Sequence, residues 1–199
     1  MNIFFLSIST KRCARYHFNK HVVKMILESC QLLSAAWYML DEEAARILYE
    51  DDKLCKKTHF NHPSAVWTRA HINNYDYVVR LAIALCNEWR YRYNHPSTKK
   101  HACEDKLQFL LKNPPPSIPD DYIPRISTNP LGFTLPMPQA MPDECKVNPD
   151  SYTAGAIACQ SAYRKYYMSE HKYNLREWYA KCPQTNSRIQ LDRPKWFVE

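Results

Sequence analysis

The stretch HFNKHVVKMILESCQLLSAAW, residues 17–37, decides the fold class. His17, His21, Lys24, Glu28 and Gln31 follow one another at intervals of four, three, four and three, so at helical periodicity they share one face. Val22, Val23, Met25, Ile26, Leu27, Cys30, Leu32 and Leu33 cover the rest of the cylinder. A helix that is apolar nearly all round belongs inside a protein, here with a seam of imidazole, ammonium and carboxylate along it. An unpaired charge there costs several kcal/mol, so the seam must be paired within itself or with a charged ligand.

Working outward, residues 2–7 (NIFFLS) suit a short strand or a buried extended arm, and Ser9 or Thr10 offers a cap for one long helix over about 11–40. Asp41 opens a shorter amphipathic helix through Tyr49. A charged connection, EDDKLCKKTHFNHP, ends on Pro63 with Asn61 or His62 at the cap of the next helix. That helix is expected to run some thirty residues, kinked near Asn73-Asn74, with Val66, Ala70, Tyr77, Leu81, Leu85 and Trp89 as its buried stripe. A third long helix covers about 99–112. Nine of the 14 prolines then fall between 114 and 142, which forbids regular helix and favours an extended segment. A last helical region starts near Asn148-Pro149-Asp150 and runs toward LREWYAKC, with the apolar tail RPKWFVE docked. The expected fold is mainly α: a single-domain helical bundle over 1–199, with a helical body to about 113, a proline-rich segment wrapped over it at about 114–147, and a C-terminal helical region from about 148.

Composition narrows the function. An excess of 27 Lys and Arg over 20 Asp and Glu gives +7, which favours a polyanionic partner. With only Gly132 and Gly155 present there is no P-loop, dinucleotide turn or nucleophile elbow. The eight cysteines include no C-x-x-C pair, and several sit in apolar helical runs as small hydrophobes, so we expect reduced thiols in an intracellular protein. No run of residues is long and apolar enough to span a membrane, and no membrane partner is expected.

Four constellations carry chemistry. In the seam, Lys24 can pair with Glu28 one turn on and keep it ionised, ready to stabilise a developing positive charge or to position a water; an ion pair closing the seam against another helix carries the same pattern. His17 and His21 also have the spacing of two metal ligands, but the Lys24 ammonium repels a cation, so neither metal nor other cofactor is expected. In KKTHFNHPSAVWTR, Asn61, His62 and Arg69 surround a helix start suited to phosphate, or simply cap it. Aromatic and basic residues alternate in WRYRYN and YRKYYMSEHKYNLREWY, where Arg92, Arg164 and Lys172 suit phosphates and Tyr167 a base. In PMPQAMPDECK, a proline-stiffened loop can hold Gln139 toward a base edge or merely pack.

The motifs NKHVVKMILE, THFNHP, RYRYN, PQAMPDE and YRKYY together resemble a group of phage and large-DNA-virus proteins that carry the label pyrimidine dimer DNA glycosylase. In the phage dimer glycosylases, small all-α proteins, a histidine on the first long helix precedes the catalytic glutamate by seven residues, and an aromatic motif lies near the C-terminus. His21 and Glu28 match the first pattern, and Tyr163 to Tyr167 resemble the second. The resemblance implies a base-excision protein that cleaves the N-glycosidic bond of a damaged or modified pyrimidine in duplex DNA, with Glu28 as its carboxylate. Those enzymes attack with the α-amine of an N-terminal threonine, whereas this chain begins Met1-Asn2, and asparagine normally leaves the methionine in place. Either Lys24 then supplies the amine, with AP-lyase activity following from an imine, or Glu28 directs water and the strand is left uncut; His17 and His21 would orient the pair. Two other readings stay open: an enzyme acting on a free nucleotide or modified viral base, and a non-catalytic nucleic-acid-binding protein.

Overall fold

The computed structural model describes residues 1–147 and 155–198. It is mainly α, with helices α1 (Thr10–Tyr16), α2 (Asn19–Leu40), α3 (Glu42–Glu50), α4 (Pro63–Arg69), α5 (Ile72–Arg92), α6 (Glu104–Lys112) and α7 (Ala156–Met168). One antiparallel pair, β1 (Tyr179–Lys181) and β2 (Arg188–Gln190), is the only sheet among the described residues. Helix α2 is the hub: α3, α4, α5 and α6 all pack on it.

The caps follow local chemistry. Ser9 accepts from the Arg12 amide, Asp41 from that of Ala44, and His62 from that of Ser64, with Pro63 in the first turn of α4. The N-terminal residues are the expected buried arm rather than a strand, with Phe5 and Leu6 fully enclosed. Each such side chain contributes about 1.5–3 kcal/mol of burial.

The expected helix over 11–40 is broken at His17 and Phe18, both in extended backbone. The cause lies 75 residues away. The Arg92 guanidinium, wholly buried, donates to the carbonyls of Arg15 and His17 at 2.8 Å each, to Asn19 Oδ1 at 3.1 Å, and through Nε to Glu88 at 2.6 Å. It thus replaces the amides that a continuing helix would present to those carbonyls. Asn19 exchanges hydrogen bonds with the main chain of Tyr179, so β1 docks on the same break.

The expected thirty-residue helix is likewise two, α4 and α5, parted at Ala70 and His71 rather than kinked at Asn73. His71 caps α5 through Nδ1 and contacts the Asp121 carbonyl through Nε2, and Ile72 donates to Pro119. Asn74 bonds both Trp67 and Thr134. The proline-rich segment is therefore seated on this second break, with Phe133 packed among Phe5, Trp67 and Tyr77. Tyr77, Leu81 and Leu85 are buried as expected, whereas Val66 is exposed because α4 turns a different face inward from α5. The third helix starts later than expected, at Glu104.

The expected helix start at Asn148-Pro149-Asp150 lies outside the described residues, and α7 follows Gly155. The helix ends at Met168, and the segment expected to continue it becomes a short 3-10 turn over Glu170–Leu175 and then β1. The apolar tail docks through Phe197, edge-on to Trp178. No helix among the described residues is long and apolar enough to cross a membrane.

Candidate active site

Breaking the N-terminal helix divides the polar seam. His17 and His21 are buried, Lys24 is exposed, and Glu28 stands on the border with only 13% of its side chain accessible. The outer strip of α2 is Lys20, Val23, Lys24 and Leu27, all exposed, with Gln31 half-buried beyond them.

Glu28 holds two nitrogens. Its Oε1 lies 3.2 Å from Lys24 Nζ, and its Oε2 accepts from the main-chain nitrogen of Asn2 at 3.0 Å. The arm that delivers Asn2 is fixed from two other parts of the chain. Asn2 Nδ2 donates to the Ala140 carbonyl of the proline-rich segment at 2.7 Å, and its Oδ1 accepts from the Ile3 amide. The Tyr163 hydroxyl of α7 lies 2.7 Å from that oxygen. Two parts of the chain distant in sequence, the proline-rich segment and α7, therefore hold the arm so that one main-chain nitrogen meets one carboxylate.

Two further side chains lie within electrostatic reach of the same carboxylate. Lys172, half-buried over the rings of Phe4 and Tyr166, has its ammonium pKa lowered by burial and then by Lys24, with Glu28 acting in the opposite sense. His62, at the start of α4, has its pKa lowered chiefly by burial, then by the chain's α-ammonium and by His59, and Glu28 again opposes. Glu28 thus pairs with Lys24 and the Asn2 nitrogen and acts electrostatically on Lys172 and His62.

The two seam histidines lie beneath this group. His21 stacks on Phe4 with ring centroids 4.4 Å apart, and its Nδ1 is 2.6 Å from the Tyr167 hydroxyl. Burial first, then His17, Lys172 and Lys24, depress its pKa to about 2, so it is neutral. His17 contacts the Cys13 carbonyl through Nδ1 at 2.8 Å, while its buried Nε2 has no partner. Burial lowers its pKa to about 4. Both rings pack the floor of the site instead of lining its surface.

A family model described as pyrimidine dimer DNA glycosylase matches residues 1–101, which include α1 to α5, Glu28 and His62. The chain belongs to the pyrimidine dimer DNA glycosylase family. No curated protein and no solved structure matches it.

Several residues expected at the glycosylase site are placed elsewhere. Arg92 is buried with its donors engaged at the α1–α2 break, so no face of it is left for a phosphate. Tyr167 is a core ring stacked on Phe18 at 4.3 Å, facing no open surface. Gln139 spends its amide on both main-chain groups of Val147, closing the loop whose Ala140 carbonyl holds Asn2. Arg164 donates to the Leu6 carbonyl and lies over Trp196. Arg69 donates to the Phe60 carbonyl and so ties down the loop carrying exposed Asn61. Sequence reading missed Asn2 and Phe4 as site residues and did not connect Tyr163 with the N-terminal arm, because no periodicity links any of them to Glu28.

Proposed function

We propose that the protein is a DNA N-glycosylase acting on a damaged or modified pyrimidine in duplex DNA, with Glu28 as its catalytic carboxylate. The observation carrying this reading is the pairing of Glu28 with the Asn2 nitrogen at 3.0 Å on the exposed border of α2. A carboxylate so placed stabilises the positive charge that develops on a deoxyribose as its base departs. Val23 and Leu27, exposed on α2 beside Lys20 and Lys24, offer an apolar and cationic strip to an opened duplex. A site on the rim of a helix suits a polymer substrate, whereas a free nucleotide calls for an enclosing cavity. The family match supports glycosylase chemistry at the level of the family.

The attacking amine, in this account, comes from the groups around Glu28. It forms a bond to C1′ as the N-glycosidic bond breaks, the base leaving with the bonding pair and taking a proton; the C1′–O4′ bond then opens, O4′ taking a proton as the C1′ iminium forms, and loss of a C2′ proton expels the 3′ phosphate. With Met1 retained, as asparagine at position 2 favours, the Asn2 nitrogen is an amide that orients Glu28, and the Met1 α-amine is the N-terminal candidate. Lys172 is the side-chain amine that burial favours in its neutral form. Lys24, 70% exposed, is a hydrated cation that tunes Glu28.

Duplexes carrying a pyrimidine dimer, uracil or an oxidised pyrimidine, each offered beside the corresponding free nucleotide, test the reading. Abasic product from at least one duplex and none from the nucleotides is the expected result. Borohydride reduction during turnover should then fix an adduct on the N-terminal peptide or the Lys172 peptide. Turnover of free nucleotide alone would overturn the proposal.

A further inference from the structure

Independent of that reading, three cysteines far apart in sequence converge. Cys30 lies on α2 two residues after Glu28, Cys55 on the connection between α3 and α4, and Cys103 immediately before α6. Their three Sγ atoms lie within 4.8 Å of one another, and those of Cys30 and Cys55 are 3.3 Å apart. Thiolates at about 2.3 Å from a zinc ion stand roughly 3.8 Å from each other, so these sulfurs need move only by about half an ångström to an ångström to share one ion. We propose that Cys30, Cys55 and Cys103 form a three-thiolate site for a soft divalent cation of the zinc class.

The surroundings are built for it. Ser34 Oγ donates to the Cys30 carbonyl at 2.8 Å and accepts from the Cys55 amide at 2.9 Å, fixing two of the ligand residues relative to each other. Leu54 is buried next to Cys55 and anchors the loop. Lys106, bonded to Asp52, brings positive charge close enough to act on Cys55 and Cys103 and offsets the net negative charge of three thiolates on a divalent ion. Soft thiolates select zinc or copper(I) over magnesium or calcium. Among the described residues no fourth His, Cys, Asp or Glu ligand atom lies within 4.8 Å of all three, so water takes the remaining position.

The consequence is mechanical. The site clamps the loop that carries His59 and His62 to the helix that carries Glu28, and both to α6. Binding energy at the ion therefore holds these three elements together.

The test uses the reduced full-length chain. One equivalent of Zn²⁺ should remain bound through gel filtration, and Co²⁺ in its place should give a sulfur-to-cobalt charge-transfer band. Zinc should slow alkylation of Cys30, Cys55 and Cys103 at least ~tenfold while leaving Cys182 unaffected, as read by peptide mapping. It should raise the unfolding temperature of the wild type and of Cys182→Ser but not of Cys55→Ser. Alkylation mapping on the wild type needs no variant to fold. Zinc lost on gel filtration, equal retention by Cys55→Ser, or no protection of the three thiols would overturn the proposal.

Discussion

Glu28 shows how little of a residue's role its own helix determines. Spacing places it one turn from Lys24, and that pair forms, but Lys24 is a solvent-exposed partner. What sets Glu28 apart is Asn2, 26 residues earlier in the chain, together with Lys172 and His62. The histidines of the same stripe have the opposite fate. His17 is wholly enclosed with a pKa near 4 against an ordinary 6.5, so the unfolded chain takes up a proton before the folded one does. Its contribution is complete above about pH 6.5 and falls away as pH drops toward 4, a loss of about 3 kcal/mol. His21 extends the decline to lower pH in the same direction. Chemical unfolding at pH 7 and pH 5 should therefore give clearly lower stability at pH 5, and equal values would show that these rings are not buried neutral. Tyr167→Phe removes the hydroxyl at His21 Nδ1 and should cost about 1–3 kcal/mol in the same assay.

The helices themselves are largely legible in the chain; the breaks between them are not. Ser9, Asp41 and His62 cap where side chains of their type should, and Pro63 opens α4. The interruptions at His17 and His71 carry no proline or glycine. Partners from elsewhere make them: Arg92 and β1 at the first, the proline-rich segment at the second. The strand pair after α7 escaped for a related reason, since Tyr179 reads as another helical aromatic until its main chain is seen to pair with Asn19. Arg92 gives this a measurable form. Arg92→Met leaves Glu88 almost buried without its cation and the carbonyls of Arg15 and His17 without donors, and should destabilise the fold by about 3–5 kcal/mol. Lys24→Met, on the exposed face of the same seam, should change stability by less than about 1 kcal/mol. A mild effect from Arg92→Met would mean that the break holds without it.

Taken whole, the molecule brings its N-terminal arm, α2, the loop before α4, the proline-rich segment and the turn after α7 to one place. Mainly helical architecture and the basic excess could be read from pattern and composition; that convergence could not, because none of its contacts is local. The exposed cations on α2 should make duplex binding fall steeply with salt, with a slope near −0.9 per phosphate neutralised, and Lys20→Ala should reduce that slope by about one contact. Binding insensitive to salt would leave this face without a DNA role. The most direct measurement is single-turnover base release from a duplex bearing a pyrimidine lesion, wild type against Glu28→Gln, with duplex affinity determined in parallel. Loss of rate by about 10²–10⁴ at unchanged affinity and unfolding temperature is the predicted result. A Glu28→Gln protein that releases the base at the wild-type rate would contradict the assignment of Glu28 as the catalytic carboxylate.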